Sequence, residues 1–176
     1  MNDSIAIFGA VKEEIAGIKQ AMNISDHVRL GKTSAWPGKW GKEEIILVRS
    51  GVGRQRAKDA TLQIIDRFQP RALISTGYAG AVQPGLNVGD LVIANTITEE
   101  IKGQKQSPDS DWLDRAIGIP SPNGVKTIVG GLLTVDTVIH TSAIKHELGK
   151  KYGVQAVEME TSAIAKVARE KGLPLL

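Results

Sequence analysis

The sequence predicts an α/β fold, a single domain with a mixed, mainly parallel sheet flanked by helices. Three observations point there. Short apolar runs alternate with segments of helical period along the whole chain. Glycine turns close several of the apolar runs. The 176 residues are 41% hydrophobic but only 4% aromatic, so the core is built from Val, Ile, Leu and Ala. That composition suits parallel strands buried under small-residue helices.

The elements follow in order. Ser4–Gly9 reads as a buried strand ending in a glycine turn. Val11, Ile15, Ile18 and Met22 then recur at helical spacing, with Glu13 and Glu14 in the first turn, where the helix dipole favours carboxylates. Residues 27–31 and 44–49 read as strands joined by a polar stretch that holds Trp36 and Trp40. After the turn Ser50-Gly-Val-Gly53, residues 54–68 form a helix with Ala57, Ala60, Ile64 and Phe68 near one face, closed by Pro70. Residues 71–77 are a strand ending in Gly77-Tyr-Ala-Gly80, and 90–94 a further strand. Residues 102–123 are polar and proline-bearing, and are expected to be a mobile loop or lid. Beyond it come a strand at 127–135, a helix at 141–151, a short strand at 154–157 and an alanine-rich helix at 160–171. No repeat interrupts this order.

Composition excludes several chemistries. There is no cysteine, hence no disulfide framework and no thiolate nucleophile; a reducing, cytoplasmic setting is expected. His27, His140 and His146 lie at no metal-ligand spacing, so no metal site is expected. The net charge of +3 comes from scattered basic residues without a nucleic-acid-binding signature, so no nucleic-acid partner is expected. Ser4–Gly9 is too short, and lacks the basic lead, for a secretory signal. No run approaches the roughly 20 apolar residues of a membrane span.

Three features could carry chemistry. Glu13 and Glu14 open a helix directly after a strand, at the edge where open α/β sheets bind ligands; acidic residues at such a position usually just complement the dipole. The glycine turns at 51–53 and 77–80 match neither a dinucleotide fingerprint nor a phosphate loop. Val157-Glu-Met-Glu-Thr161 sets two carboxylates around a methionine at a strand-to-helix junction. Carboxylates accept from neighbouring hydroxyls while methionine covers an apolar face, which suits a sugar. A solvated helix cap would explain one of the two acids.

Ile5-Ala-Ile-Phe-Gly-Ala-Val-Lys-Glu-Glu14, Ser75-Thr-Gly-Tyr-Ala-Gly80 and Val157-Glu-Met-Glu-Thr-Ser-Ala-Ile164 occur in one order across nearly the whole chain. Together they resemble the purine nucleoside phosphorylase superfamily and, within it, the methylthioadenosine/S-adenosylhomocysteine nucleosidase branch. Ser50–Gly53 and the 130–139 segment also fit. The resemblance implies an N-glycosidic bond hydrolase acting on a 5′-modified, adenosine-type purine nucleoside, without cofactor, as a cytoplasmic homodimer. It implies that Glu14 orients or activates the attacking water. Met159 and Glu160 would hold the ribose, with Glu158 lining the same pocket. Tyr78, Ala79 and Gly80 would border sugar and nucleophile, and Val138 and Ile139 would contact the base.

Phosphorylases of this kind hold phosphate with arginines near the first strand and the glycine turn. Here those turns offer Glu13, Glu14 and Tyr78, so water is the expected nucleophile. Tyr78 stands where the nucleosidase branch usually has serine. The resemblance also implies that 1–176 lacks a last strand and helix, and with them an arginine and the acid that protonates the leaving base. Low turnover is expected on that ground. A phosphate-dependent phosphorylase and a nucleoside-binding protein without turnover are the alternatives.

Overall fold

In a computed structural model of the protein, residues 3–176 are described. The chain forms two compact units. One runs to Tyr78 and takes up Ala163–Leu175; the other is Ala79–Ser162, joined by Leu176.

The first unit is built on a six-stranded mixed sheet. Strand β1 (Ile5–Gly9) lies at its centre, parallel to β5 (Glu43–Arg49) on one side and to β6 (Ala72–Ser75) on the other. All five residues of β1 are buried, as expected of a strand with parallel neighbours on both sides. Beyond β5 the sheet turns antiparallel through β4 (Thr33–Trp40), which carries β2 (Asn23–Ile24) and β3 (Val28–Leu30). Helix α1 (Lys12–Ala21) packs on β1 and β5, and α2 (Arg54–Phe68) on β4. Helix α2 buries Ala57, Ala60 and Ile64 from the face the sequence predicts, and ends on Gln69 in the left-handed conformation (φ 51°) just before Pro70. Leu175 pairs with Leu73 on the free side of β6.

The polar stretch expected between two strands is itself the eight-residue strand β4. Pro37 and Gly38, depleted in strands, masked it, yet Thr33–Trp36 is a run of buried residues and Ser34–Trp40 pairs with β5.

The second unit holds a five-stranded sheet in the order β7-β11-β10-β8-β9. Strands β8 (Leu91–Glu99), β10 (Thr127–Thr134) and β11 (Ala156–Glu158) run parallel at its centre. The short strands β7 (Gly80–Ala81) and β9 (Lys105–Gln106) pair antiparallel at its edges. Its core cluster is Val82, Leu133, Val135, Leu148, Val154 and Val157, with Ile139, Tyr152 and Met159 packed against it. Helix α4 (Ser142–Tyr152) closes with Gly153 in the left-handed conformation. A bulge falls in β10 between Gly130 and Gly131. There the Gln155 side chain accepts from the Gly131 N–H, satisfying a donor at the break in the ladder.

The segment 102–123, expected to be a mobile loop or lid, is not all loop. It contains β9 and the helix α3 (Ser110–Ile117), whose first turn is capped by the Asp109 carboxylate accepting from the Trp112 N–H at 3.2 Å. The last helix, α5 (Thr161–Glu170), buries Ile164, Val167 and Ala168.

Candidate active site

The site residues named from sequence fall into two groups, one in each unit. In the first, the Glu14 carboxylate lies beyond the carboxyl ends of β1 and β6. One oxygen, Oε2, accepts from the Ala10 and Val11 N–H groups at 2.6 and 3.1 Å. The other, Oε1, accepts from the Tyr78 N–H at 2.9 Å. Glu14 is the third residue of α1, so its bond to Val11 is the return half of a capping box. The bond to Tyr78, 64 residues away, is not part of any cap. The two readings of Glu14 therefore coexist: it closes the first turn and is also clamped across neighbouring strands. Glu13 is different. Its exposed side chain faces solvent, 3.7 Å from Lys12 Nζ, which is the ordinary behaviour of an acid at a helix start.

Gly77 makes the clamp possible. A Cβ there would come within 2.7 Å of Glu14 Oε1 and 2.8 Å of its Cδ. Tyr78 is 70% exposed, and its hydroxyl lies 3.4 Å from the Glu13 carbonyl oxygen. The ring is thus presented to solvent, while its backbone serves Glu14.

In the second unit, β11 delivers Glu158, and the chain turns through Met159 and Glu160 into α5. Glu158 Oε1 accepts from the Thr134 hydroxyl. Its Oε2 accepts from the Glu160 N–H (2.7 Å), the Thr161 N–H (2.6 Å) and the Thr161 hydroxyl (2.9 Å). Burial pushes the Glu158 carboxyl above its ordinary value, and the four donors offset part of that rise. Thr134 Oγ1 also accepts from the Ser162 N–H at 3.0 Å. Thr161 closes the run quoted from sequence without being assigned a role, and Thr134 is not among the residues singled out, because a hydroxyl at a strand end has no periodic signature.

Glu160 is half-buried, and its Oε2 accepts from the Met159 N–H at 3.2 Å. Met159 and Ile139 pack on the same core cluster, so the structure brings a residue expected at the ribose together with one expected at the base. Gly80 pairs with Val157 directly beside Glu158. Ala79 is exposed, and so is Val138 at 59%. Among the described residues no cluster of three metal-ligating side chains occurs, and no helix is long and apolar enough to cross a membrane.

Sheets with parallel centres, and carboxylates beyond the carboxyl ends of those strands, define an α/β protein that places its polar chemistry where such folds bind ligands. The family described as the phosphorylase superfamily matches residues 4–176, and the chain belongs to it. Among its relatives is the 5′-methylthioadenosine/S-adenosylhomocysteine nucleosidase of Listeria welshimeri, 32% identical over 98% of this chain and 83% of that protein. Among solved structures, the nucleosidase of the same name from Neisseria meningitidis, in complex with methylthio-immucillin-A, superposes with a TM-score of 0.88 at 28% identity. The match covers 98% of this chain and 82% of that one. The corresponding enzyme of S. pneumoniae, with a transition-state inhibitor, gives 0.90 at 28% identity with the same coverage.

Proposed function

We propose that this chain hydrolyses the N-glycosidic bond of a 5′-modified, adenosine-type nucleoside, releasing the free base and a ribose derivative. Membership of the phosphorylase superfamily and the 32% identity to a methylthioadenosine/S-adenosylhomocysteine nucleosidase support the reaction class. The observation that carries it is the state of Glu14. Three backbone amides hold its carboxylate against about four lone-pair directions. One direction remains for a further donor, and an attacking water's O–H is such a donor.

In this reading Glu14 orients the water and draws off its proton as the water attacks the anomeric carbon. General-base help of this kind contributes about 10²–10⁴-fold. Cleavage passes through an oxocarbenium-like sugar, whose developing positive charge a nearby carboxylate stabilises. Glu160 accepts from the vicinal ribose hydroxyls, and Met159 covers the apolar face of the sugar. Tyr78, Ala79 and Gly80 border sugar and nucleophile, with Val138 and Ile139 against the base. The acidic first turn of α1, Glu13 and Glu14, disfavours a phosphate dianion as nucleophile. The setting proposed is the cytoplasm, consistent with a chain that uses no cysteine.

The test is a panel of 5′-modified adenosine nucleosides incubated with and without phosphate. Free adenine and free sugar, released at the same rate in both, are the expected products. A requirement for phosphate, or a sugar 1-phosphate product, would overturn the proposal.

A further inference from the structure

Glu158 and Glu160 are separated by one residue, Met159. Glu158 takes four donors: the Thr134 hydroxyl, the Glu160 and Thr161 N–H groups and the Thr161 hydroxyl. Three of the four fall on Oε2 and one on Oε1, so the protein engages both oxygens of this carboxylate. The donors come from the end of β10, from Glu160 and from Thr161, the first residue of α5. The chain of bonds extends further. Thr134 Oγ1 accepts from the Ser162 N–H, and the Ser162 carbonyl accepts from Gln106 Nε2 at 3.2 Å. Thr134, Thr161, Ser162 and Gln106 are all buried. In the other direction the Glu158 carbonyl accepts from the Val135 N–H at 2.8 Å.

These bonds fall on the backbone that carries Glu160. The N–H groups of residues 160, 161 and 162 open α5, where no intrahelical acceptor exists. Each is met by Glu158 or by Thr134. Fixing these amides fixes the direction in which the Glu160 side chain leaves the turn.

We infer that Glu158 is a positioning residue: with the Thr134 hydroxyl it locks the backbone of Glu160, Thr161 and Ser162, so that Glu160 presents its carboxylate to the sugar. The inference rests on the proposed role of Glu160 as ribose anchor. The carboxyl needs a replacement that can still accept from these donors. Glutamine meets that need, since its Oε1 can take the two amides while its Nε2 donates to Thr134 Oγ1. Alanine does not.

The test compares Thr134→Val, Glu158→Ala, Glu158→Gln and Glu160→Ala, each in the full chain, with folding checked by circular dichroism and thermal melts. The first readout is amide hydrogen exchange at residues 160–162, measured by NMR without ligand. Thr134→Val and Glu158→Ala should accelerate exchange there by about tenfold or more, and Glu158→Gln should restore protection. The second readout is the ratio of dissociation constants for 5′-methylthioadenosine and its 2′- and 3′-deoxy counterparts, in a Glu14→Gln background that keeps the ligand intact. The parent should prefer the ribonucleoside by about tenfold or more, the scale of one hydrogen bond to a charged group. Thr134→Val and Glu158→Ala should bring that ratio toward one, and Glu158→Gln should recover it. Thr134→Val decides the matter even if Glu158→Ala fails to fold. A Thr134→Val protein with parental exchange, or with loosened amides but a parental ribose preference, overturns the inference. A Glu160→Ala protein that keeps the full preference overturns the ribose reading instead, and the exchange result then stands by itself.

Discussion

Two carboxylates, Glu14 and Glu158, show how the surroundings of one residue type divide its work. Glu14 is half-buried and held by three amides on one side, which fixes its orientation while leaving it able to accept from water. Replacing it with glutamine keeps the shape and removes the base. Glu14→Gln should lower kcat by about 10²–10⁴-fold and leave the affinity for 5′-methylthioadenosine within a few fold. Single-turnover base release beside equilibrium titration measures both, and loss of affinity equal to loss of rate would argue against a general base. Glu158 makes a different prediction, because burial raises its carboxyl above 4.5 in the folded protein. The folded state then holds this proton more tightly than the unfolded chain does. Stability from this group is complete below 4.5 and declines as pH rises toward the folded value. Glu158→Gln carries no such proton. Its melting temperature relative to the parent should therefore climb as pH increases from 4.5, and a difference that stays flat with pH would contradict the assignment.

Among the elements, the turns after parallel strands do most to place side chains. The turn at 76–79 follows β6 and brings the Tyr78 N–H to Glu14. Gly77 sits in it without a Cβ because the Glu14 carboxylate occupies that space. Gly77→Ala should displace the carboxylate by a few tenths of an ångström or more. Turnover is expected to fall by about 10²-fold, the scale of effect that such misplacement produces, while thermal stability changes little. A fully active, equally stable Gly77→Ala protein would show that the clamp is not needed. The β11–α5 junction works in a similar way, with side chains rather than a glycine supplying the order. There Glu158 and Thr134 meet the amides of residues 160–162, so the start of α5 does not depend on water.

For the whole molecule the assembly state is the testable question. The second unit exposes Ile101, Ile117 and Ile119, at 66%, 46% and 68%, apolar surface of a kind that association covers. The expected species is a homodimer, with a mass near twice that of the chain in sedimentation equilibrium. A concentration-independent single-chain mass would exclude it.

The sequence by itself determined the class of fold and most of its elements. Helix α2 keeps its expected bounds because it buries one clear face, and periodicity records burial; strand β10 and helix α4 lie within a residue of theirs. It also determined which residues deserved attention, through three ordered motifs around Glu14, Tyr78 and Glu160. Tertiary structure decided the rest. Strand β4 became visible only through its partners, since Pro37 and Gly38 break the local signal while β5 supplies the pairing. The two-residue strands β7 and β9 exist only as edges of a sheet. Helix α3 forms inside a segment whose polarity reads as loop, held by the Asp109 cap and by packing on β8. Above all, sequence left Glu158 and Glu160 as two similar acids flanking a methionine, either of them site or cap. Only the fold brings Thr134, 24 residues away, to the Glu158 carboxylate. Which donors meet a carboxylate is decided in space, and no spacing along the chain can record it.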